Sequence, residues 1–251
     1  MRPRIITIVL ASLLLSACHR PPDGAPTVFL VGDSTMAEKR ADRRPETGWG
    51  EMLSEFLDGP TIENHAQNGR STKSFRAEGR WQTVLDGIAA GDYVFIQFGH
   101  NDSKTASSSY STPEEFETNL IAFVKEVRER GGQPVLLTPV VRRKFNPDGV
   151  LQRTHGGYPA AVSRAASATA TPLIDMTEKS RNLVATYGDP ASRELYLWLS
   201  PGANENYPDG VEDDTHFSPK GGREMARLVA DGIREVRLPL RHYLVRNALA
   251  E

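Results

Sequence analysis

Four short polar clusters interrupt the chain, and each holds residue types that chemistry requires. They are Gly32-Asp33-Ser34-Thr35-Met36, Asn68-Gly69-Arg70-Ser71, Gly99-His100-Asn101-Asp102 and Glu212-Asp213-Asp214-Thr215-His216. Together they supply a Ser, an Asp and a His in chain order. A hydroxyl is a poor nucleophile until an adjacent base takes its proton, and an imidazole oriented by a carboxylate is a common base for that purpose. Taken alone, Ser34 equally suits a helix N-cap, and His216 a surface or capping histidine. His100 and Asp102 also admit a second reading as metal ligands of a phosphoesterase. No compact partner set accompanies them, and a loop that holds Asn101 in place accounts for both. The Gly-x-Ser-x-Gly elbow is absent, because Met36 stands where its second glycine would be.

The elements that must carry these clusters alternate along the chain. Residues 27–31, 61–64, 93–98, 134–138 and 172–175 are short, mostly β-branched or aliphatic, and bounded by Gly, Pro, Asn or Asp, which predicts strands. Phe116, Leu120, Phe123, Val124 and Val127 recur at helical spacing, as do Met225, Leu228, Val229, Ile233 and Val236. Thr112 is a fitting N-cap ahead of Pro113, and Gly131-Gly132 a fitting stop. Strand and helix in alternation favour a mostly parallel sheet covered on both faces, since parallel neighbours need a crossover element. Ligands of such sheets bind at the carboxyl ends of the strands, where the first three clusters fall. The fourth precedes Ser218-Pro219, a helix start that brings it to the same edge.

The motifs GDSTM at 32–36, NGRS at 68–71, GHND at 99–102 and DDTH at 213–216 resemble the four sequence blocks of the SGNH (GDSL-like) hydrolases. The GDSTM form, QFGHND at 97–102 and the stretch Pro139-Val140-Val141-Arg142-Arg143 are similar to the rhamnogalacturonan acetylesterase group within them. The resemblance runs from about residue 27 to residue 236. It implies a three-layer α/β/α sandwich with a central parallel sheet of flavodoxin-like order. It also implies Ser34 as nucleophile, His216 as base and then acid, and Asp213 as the carboxylate that orients the imidazole, with Asp214 a competitor for that role. The oxyanion hole it implies comprises the N–H groups of Ser34 and Gly69 and the side-chain amide of Asn101. The expected reaction is removal of O-acetyl groups from a plant cell-wall polysaccharide through an acyl-enzyme, with no metal or organic cofactor. Rhamnogalacturonan is the substrate implied; acetylated xylan or another acetylated carbohydrate is the alternative. A further alternative is a lipoprotein that binds glycan without catalysis.

Arg142, Arg143 and Lys144 follow the fourth predicted strand on the same edge. They read either as a solvated charge run or, for Arg142 and Arg143, as forks for the carboxylates of an acidic polysaccharide. The stretch 188–214 reads as a long loop. Tyr196, Trp198 and Tyr207 within it suit sugar stacking or, for residues 195–199, packing into the core.

The remaining composition sets limits. With 251 residues, 39% hydrophobic and 25% charged, the chain is a globular protein with no break that marks a second domain after residue 27. A net charge of −2 leaves no basic excess for a nucleic-acid backbone. Arg2 and Arg4 precede an apolar run at 5–15, too short to span a bilayer and suited to a signal peptide. The closing Leu15-Ser16-Ala17-Cys18 resembles a bacterial lipobox, which implies lipidation of Cys18, export, and anchoring to the cell envelope, with His19 leaning towards the outer membrane. The expected organisation is a signal peptide at 1–18, a proline-rich tether at 19–26 and a hydrolase domain at 27–251, with no function assigned to 238–251.

Overall fold

The computed structural model describes residues 24–245. The segment expected to be a signal peptide, Cys18 and most of the expected tether therefore lie outside the described residues, as does 246–251. Five parallel strands form the central sheet: β1 (Thr27–Gly32), β2 (Thr61–Asn64), β3 (Tyr93–Gln97), β4 (Gln133–Leu137) and β5 (Leu173–Ile174), in the order β2-β1-β3-β4-β5. This is the flavodoxin-like order, and each strand lies within one or two residues of its predicted place.

Alternation of side chains along the strands builds two cores. Val28, Leu30, Phe95, Val135 and Leu137 point to one face, where α1 (Trp49–Met52), α6 (Met176–Tyr187) and α7 (Pro219–Glu235) cover them. Phe29, Val31, Val94, Ile96 and Leu136 point to the other. There α2 (Thr72–Ala77), α3 (Arg80–Gly87), α4 (Pro113–Glu129) and α5 (Tyr158–Thr169) close over them. The helical stripe from Phe116 to Val127 is the buried face of α4, whose N-cap Thr112 accepts from the N–H of Glu115 as its sequence predicts.

One prediction is corrected. The stretch 188–214 is not a long loop, because it contains a 3₁₀ turn (Ala191–Leu195), β6 (Tyr196–Leu199) and the start of β7 (Val211–Phe217). β6 and β7 pair antiparallel as a separate two-stranded ribbon, with Leu197 opposite Asp213 and Leu199 opposite Val211. Tyr196 and Leu197 are buried, so this part of the stretch packs into the core. The segment after α7 forms a short 3₁₀ turn, Pro239–Tyr243, that buries Leu240.

Candidate active site

At the end of β1 the chain turns sharply. Asp33 organises the turn: its carbonyl accepts from the N–H groups of Met36 (3.2 Å) and Ala37 (3.0 Å), and its Oδ1 accepts from the N–H (2.9 Å) and hydroxyl (2.8 Å) of Thr35. The N–H of Ser34, lying between these bonded neighbours, has no acceptor among the described residues. From the far side, the first N–H groups of α1 hold the turn, Trp49 donating to the carbonyl of Thr35 and Gly50 to that of Met36. The result is a serine presented on a rigid turn with its own donor unspent.

The ribbon delivers the partner groups. The Ser34 hydroxyl lies 2.8 Å from Nε2 of His216, and Nδ1 of His216 lies 2.7 Å from Oδ2 of Asp213. A carboxylate can only accept, so Nδ1 carries the proton and Nε2 faces Ser34 with its lone pair. Asp213 also accepts, through Oδ1, from the N–H groups of Thr215 (2.7 Å) and His216 (2.9 Å). Partial burial works to raise its pKa, but the bonds and charge of His216 and these two N–H groups outweigh burial and hold it at about 2. Asp214, the competing acid, faces the other way: its Oδ1 accepts from Arg143 and from the indole of Trp198.

Two further donors lie on the loops that follow β2 and β3, at the same sheet edge as the serine. The loop after β2 is drawn to β1 by bonds from the N–H of His65 to Leu30 and from that of Gln67 to Gly32. At its tip Gly69 has φ +78°, a conformation that favours glycine, with nothing within 4 Å of where a Cβ would project. Its N–H also lacks an acceptor among the described residues. Asn101, after β3, is fixed by donating through Nδ2 to the carbonyl of Arg70 (2.9 Å) and accepting from Lys104 (2.8 Å). One hydrogen on Nδ2 remains for another acceptor.

Asn101 is flanked by two buried groups that lock its loop. His100 donates through Nδ1 to Oδ2 of Asp33 (3.2 Å). Burial lowers the pKa of His100, while Asp33 is held at about 2, its own burial outweighed by His100 and Thr35. Asp102 accepts from the N–H (3.0 Å) and hydroxyl (2.6 Å) of Thr72 and from the N–H of Gly99 (3.2 Å), which ties the start of α2 to the end of β3. Its burial pushes its pKa up to about 7 against these bonds. Among the described residues there is no group of three His, Cys, Asp or Glu arranged to hold a metal ion.

The paired arginines part company. Arg143 is 4% exposed, and its nitrogens are engaged by Ser192, Asp214 and Asp189, with Trp198 and Phe145 against its plane. The expectation that it reads a polysaccharide carboxylate is corrected: it is the clamp that fastens the β6–β7 ribbon to the segment after β4, where its own N–H also donates to Asp214 (2.8 Å). Arg142 is half-buried and donates to the carbonyls of His100 (3.3 Å) and Thr154 (3.4 Å), so it braces the Asn101 loop. Trp198 is half-buried with Arg193 over its ring, and the Tyr207 hydroxyl donates to the carbonyl of Arg43. Sequence reasoning missed Lys39. Its buried ammonium donates to the carbonyl of Ser34 and to Oδ1 of Asn68 and ion-pairs with Glu46, and nothing local distinguishes it from a surface lysine.

Residues 30–223 match the model of the GDSL-like Lipase/Acylhydrolase family. The chain belongs to that family. The matched stretch runs from β1 into α7 and so includes Ser34, Gly69, Asn101, Asp213 and His216. A relative, the rhamnogalacturonan acetylesterase RhgT of Bacillus subtilis, is 44% identical over 220 residues, 87% of this chain and 94% of its own. The solved structure of protein YxiM of Bacillus subtilis superposes with a TM-score of 0.74 at 24% identity, covering 86% of this chain and 58% of the other. That of Axe2, an acetylxylan esterase from Geobacillus stearothermophilus, superposes with a TM-score of 0.62 at 21% identity, covering 86% and 97%. At those identities the two structures establish the shared fold, the three-layer α/β/α hydrolase architecture.

Proposed function

We propose that the protein is a serine esterase that removes O-acetyl groups from a plant cell-wall polysaccharide, with rhamnogalacturonan as its substrate. The observation that carries the reading is the line Ser34–His216–Asp213, with contacts of 2.8 and 2.7 Å, set beside two N–H groups that have no acceptor among the described residues. A hydroxyl, a base and unspent donors at one point are what acyl transfer requires. Identity of 44% to a rhamnogalacturonan acetylesterase over most of both chains supports the substrate.

In the first step Ser34 Oγ attacks the acetyl carbonyl carbon and its proton passes to Nε2 of His216. The carbonyl oxygen becomes an oxyanion, facing the N–H groups of Ser34 and Gly69 and the amide of Asn101. Donors already aimed at that charge are worth about 10²–10³ in rate each. Collapse of the intermediate breaks the bond to the sugar oxygen, which takes the proton from His216 and leaves as the free hydroxyl. Water then gives a proton to His216 and attacks acetyl-Ser34; a second collapse releases acetate and restores Ser34. Throughout, Asp213 holds the imidazole by Nδ1–H and stabilises the imidazolium.

The test is acetate release from acetylated rhamnogalacturonan and acetylated xylan by a chain starting at residue 19 and by its Ser34→Ala variant, with and without chelator. Release from the pectic polymer, abolished by the substitution and indifferent to chelator, is the expected result. Release from xylan alone would keep the mechanism and replace the substrate; glycan binding without release would replace catalysis by binding. The same reading includes an exported protein held in the cell envelope by lipid on Cys18. The full chain should then partition into the detergent phase and its Cys18→Ser variant into the aqueous phase.

A further inference from the structure

We propose that Lys39 is a positioning residue that sets the spacing of the oxyanion donors; the inference rests on the esterase reading above. The Lys39 side chain is fully buried, and its partner Glu46 nearly so, at 0% and 8% exposure. Taking an ammonium out of water is costly unless it is paired with a counter-charge and hydrogen-bonded. Here Nζ donates to two acceptors on separate segments, the carbonyl of Ser34 and Oδ1 of Asn68 at 2.9 Å, and forms an ion pair with Oε1 of Glu46 at 2.8 Å on a third.

The choice of acceptors gives the lysine its purpose. The Ser34 carbonyl belongs to the residue that supplies the nucleophile and the first donor. Asn68 immediately precedes Gly69, which supplies the second. One rigid ammonium therefore spans the two loops and fixes how far apart their N–H groups stand. Glu46 supplies the counter-charge and links the same point to the segment before α1, where Thr47 is bonded to Phe217 at the end of β7. An apolar side chain could fill the space but could not define that distance. A gap between donors matched to one oxyanion loses its advantage with small shifts, since misplacement of about 1 Å can cost 10²-fold in rate.

Three variants test the inference on a small neutral acetyl ester. Asn68→Ala cuts the bridge while leaving Lys39 paired with Ser34 and Glu46; kcat should fall about tenfold with KM within twofold. Asn68→Asp keeps an acceptor in place and should return most of that kcat, which a role in simple packing does not require. Lys39→Met combined with Glu46→Gln removes both buried charges together, and should lower kcat by about 10- to 100-fold. Binding of a boronic acid, which forms a tetrahedral adduct on Ser34, should weaken in step with kcat/KM in each variant. Unaltered kcat and boronate affinity in Asn68→Ala would overturn the inference alone, as would a loss in Asn68→Asp equal to that in Asn68→Ala. If the unaltered protein shows no Ser34-dependent hydrolysis, the esterase reading falls and takes this inference with it.

Discussion

Asp213 and Arg143 illustrate how differently two charged residues on one ribbon serve the same site. Asp213 bonds the imidazole, so Asp213→Asn should leave the fold intact and lower kcat by about 10³- to 10⁴-fold, since an amide can hold the ring in the wrong tautomer. Steady-state kinetics beside a circular dichroism spectrum would show it. Arg143 is a clamp rather than a reader of substrate, and Arg143→Gln should cost about 2–3 kcal/mol, the loss of a buried guanidinium tempered by the partial exposure of its two carboxylate partners. The cost should appear in the unfolding midpoint; a raised KM on a pectic polymer with unchanged stability would contradict it. Asp213 and His216 could be singled out in the sequence because DDTH at 213–216 resembles a block of the GDSL-like hydrolases; taken alone, His216 reads as a surface or capping histidine. The roles of Arg143 and Lys39 could not be read there, because burial of a charge is decided by remote partners: Asp214 lies 71 residues from Arg143, and Asn68 lies 29 from Lys39.

At the scale of elements, the site depends on where α7 begins. Ser218 caps that helix, accepting from the N–H of Gly221, and its own N–H and hydroxyl donate to the carbonyls of Leu195 and Glu194. His216 lies two residues before the cap, so the seat of the helix is the seat of the base. Gly221 permits the contact: a Cβ there would stand 1.7 Å from the carbonyl oxygen of Leu195. Gly221→Ala should therefore cost about 3 kcal/mol or more and lower kcat as well, because the helix start must shift and carry His216 with it. A variant with native melting temperature and native turnover would refute this account. The parallel strands and α4 could be read from hydrophobic pattern and capping residues. β7 could not: Val211-Glu212-Asp213-Asp214-Thr215 has the acids that strands disfavour, and it is extended only because β6 and the Arg143 backbone pair with it.

Across the whole molecule, two carboxylates near the serine couple stability to acid. Asp33 and Asp213 sit at about 2 in the folded protein against 3.8 otherwise, so their contribution is complete above pH 4 and drains away as pH falls through 2. Asp102 acts with the opposite sign: held at about 7, it makes stability decline as pH rises from about 4 towards 7. Urea midpoints between pH 2 and pH 7 should thus pass through a maximum near pH 4 from these groups, and Asp33→Asn should make the acid limb shallower. An acid limb unchanged by that substitution would show that Asp33 is not among its sources. The fold that joins these groups draws Ser34 and His216 together across 182 residues. Ribosomes add roughly 5–20 residues per second, so about 10–40 s separate the emergence of the two. For that interval the growing polypeptide holds Ser34 without His216, and on the proposed mechanism a fragment that terminates before β7 should release no acetate.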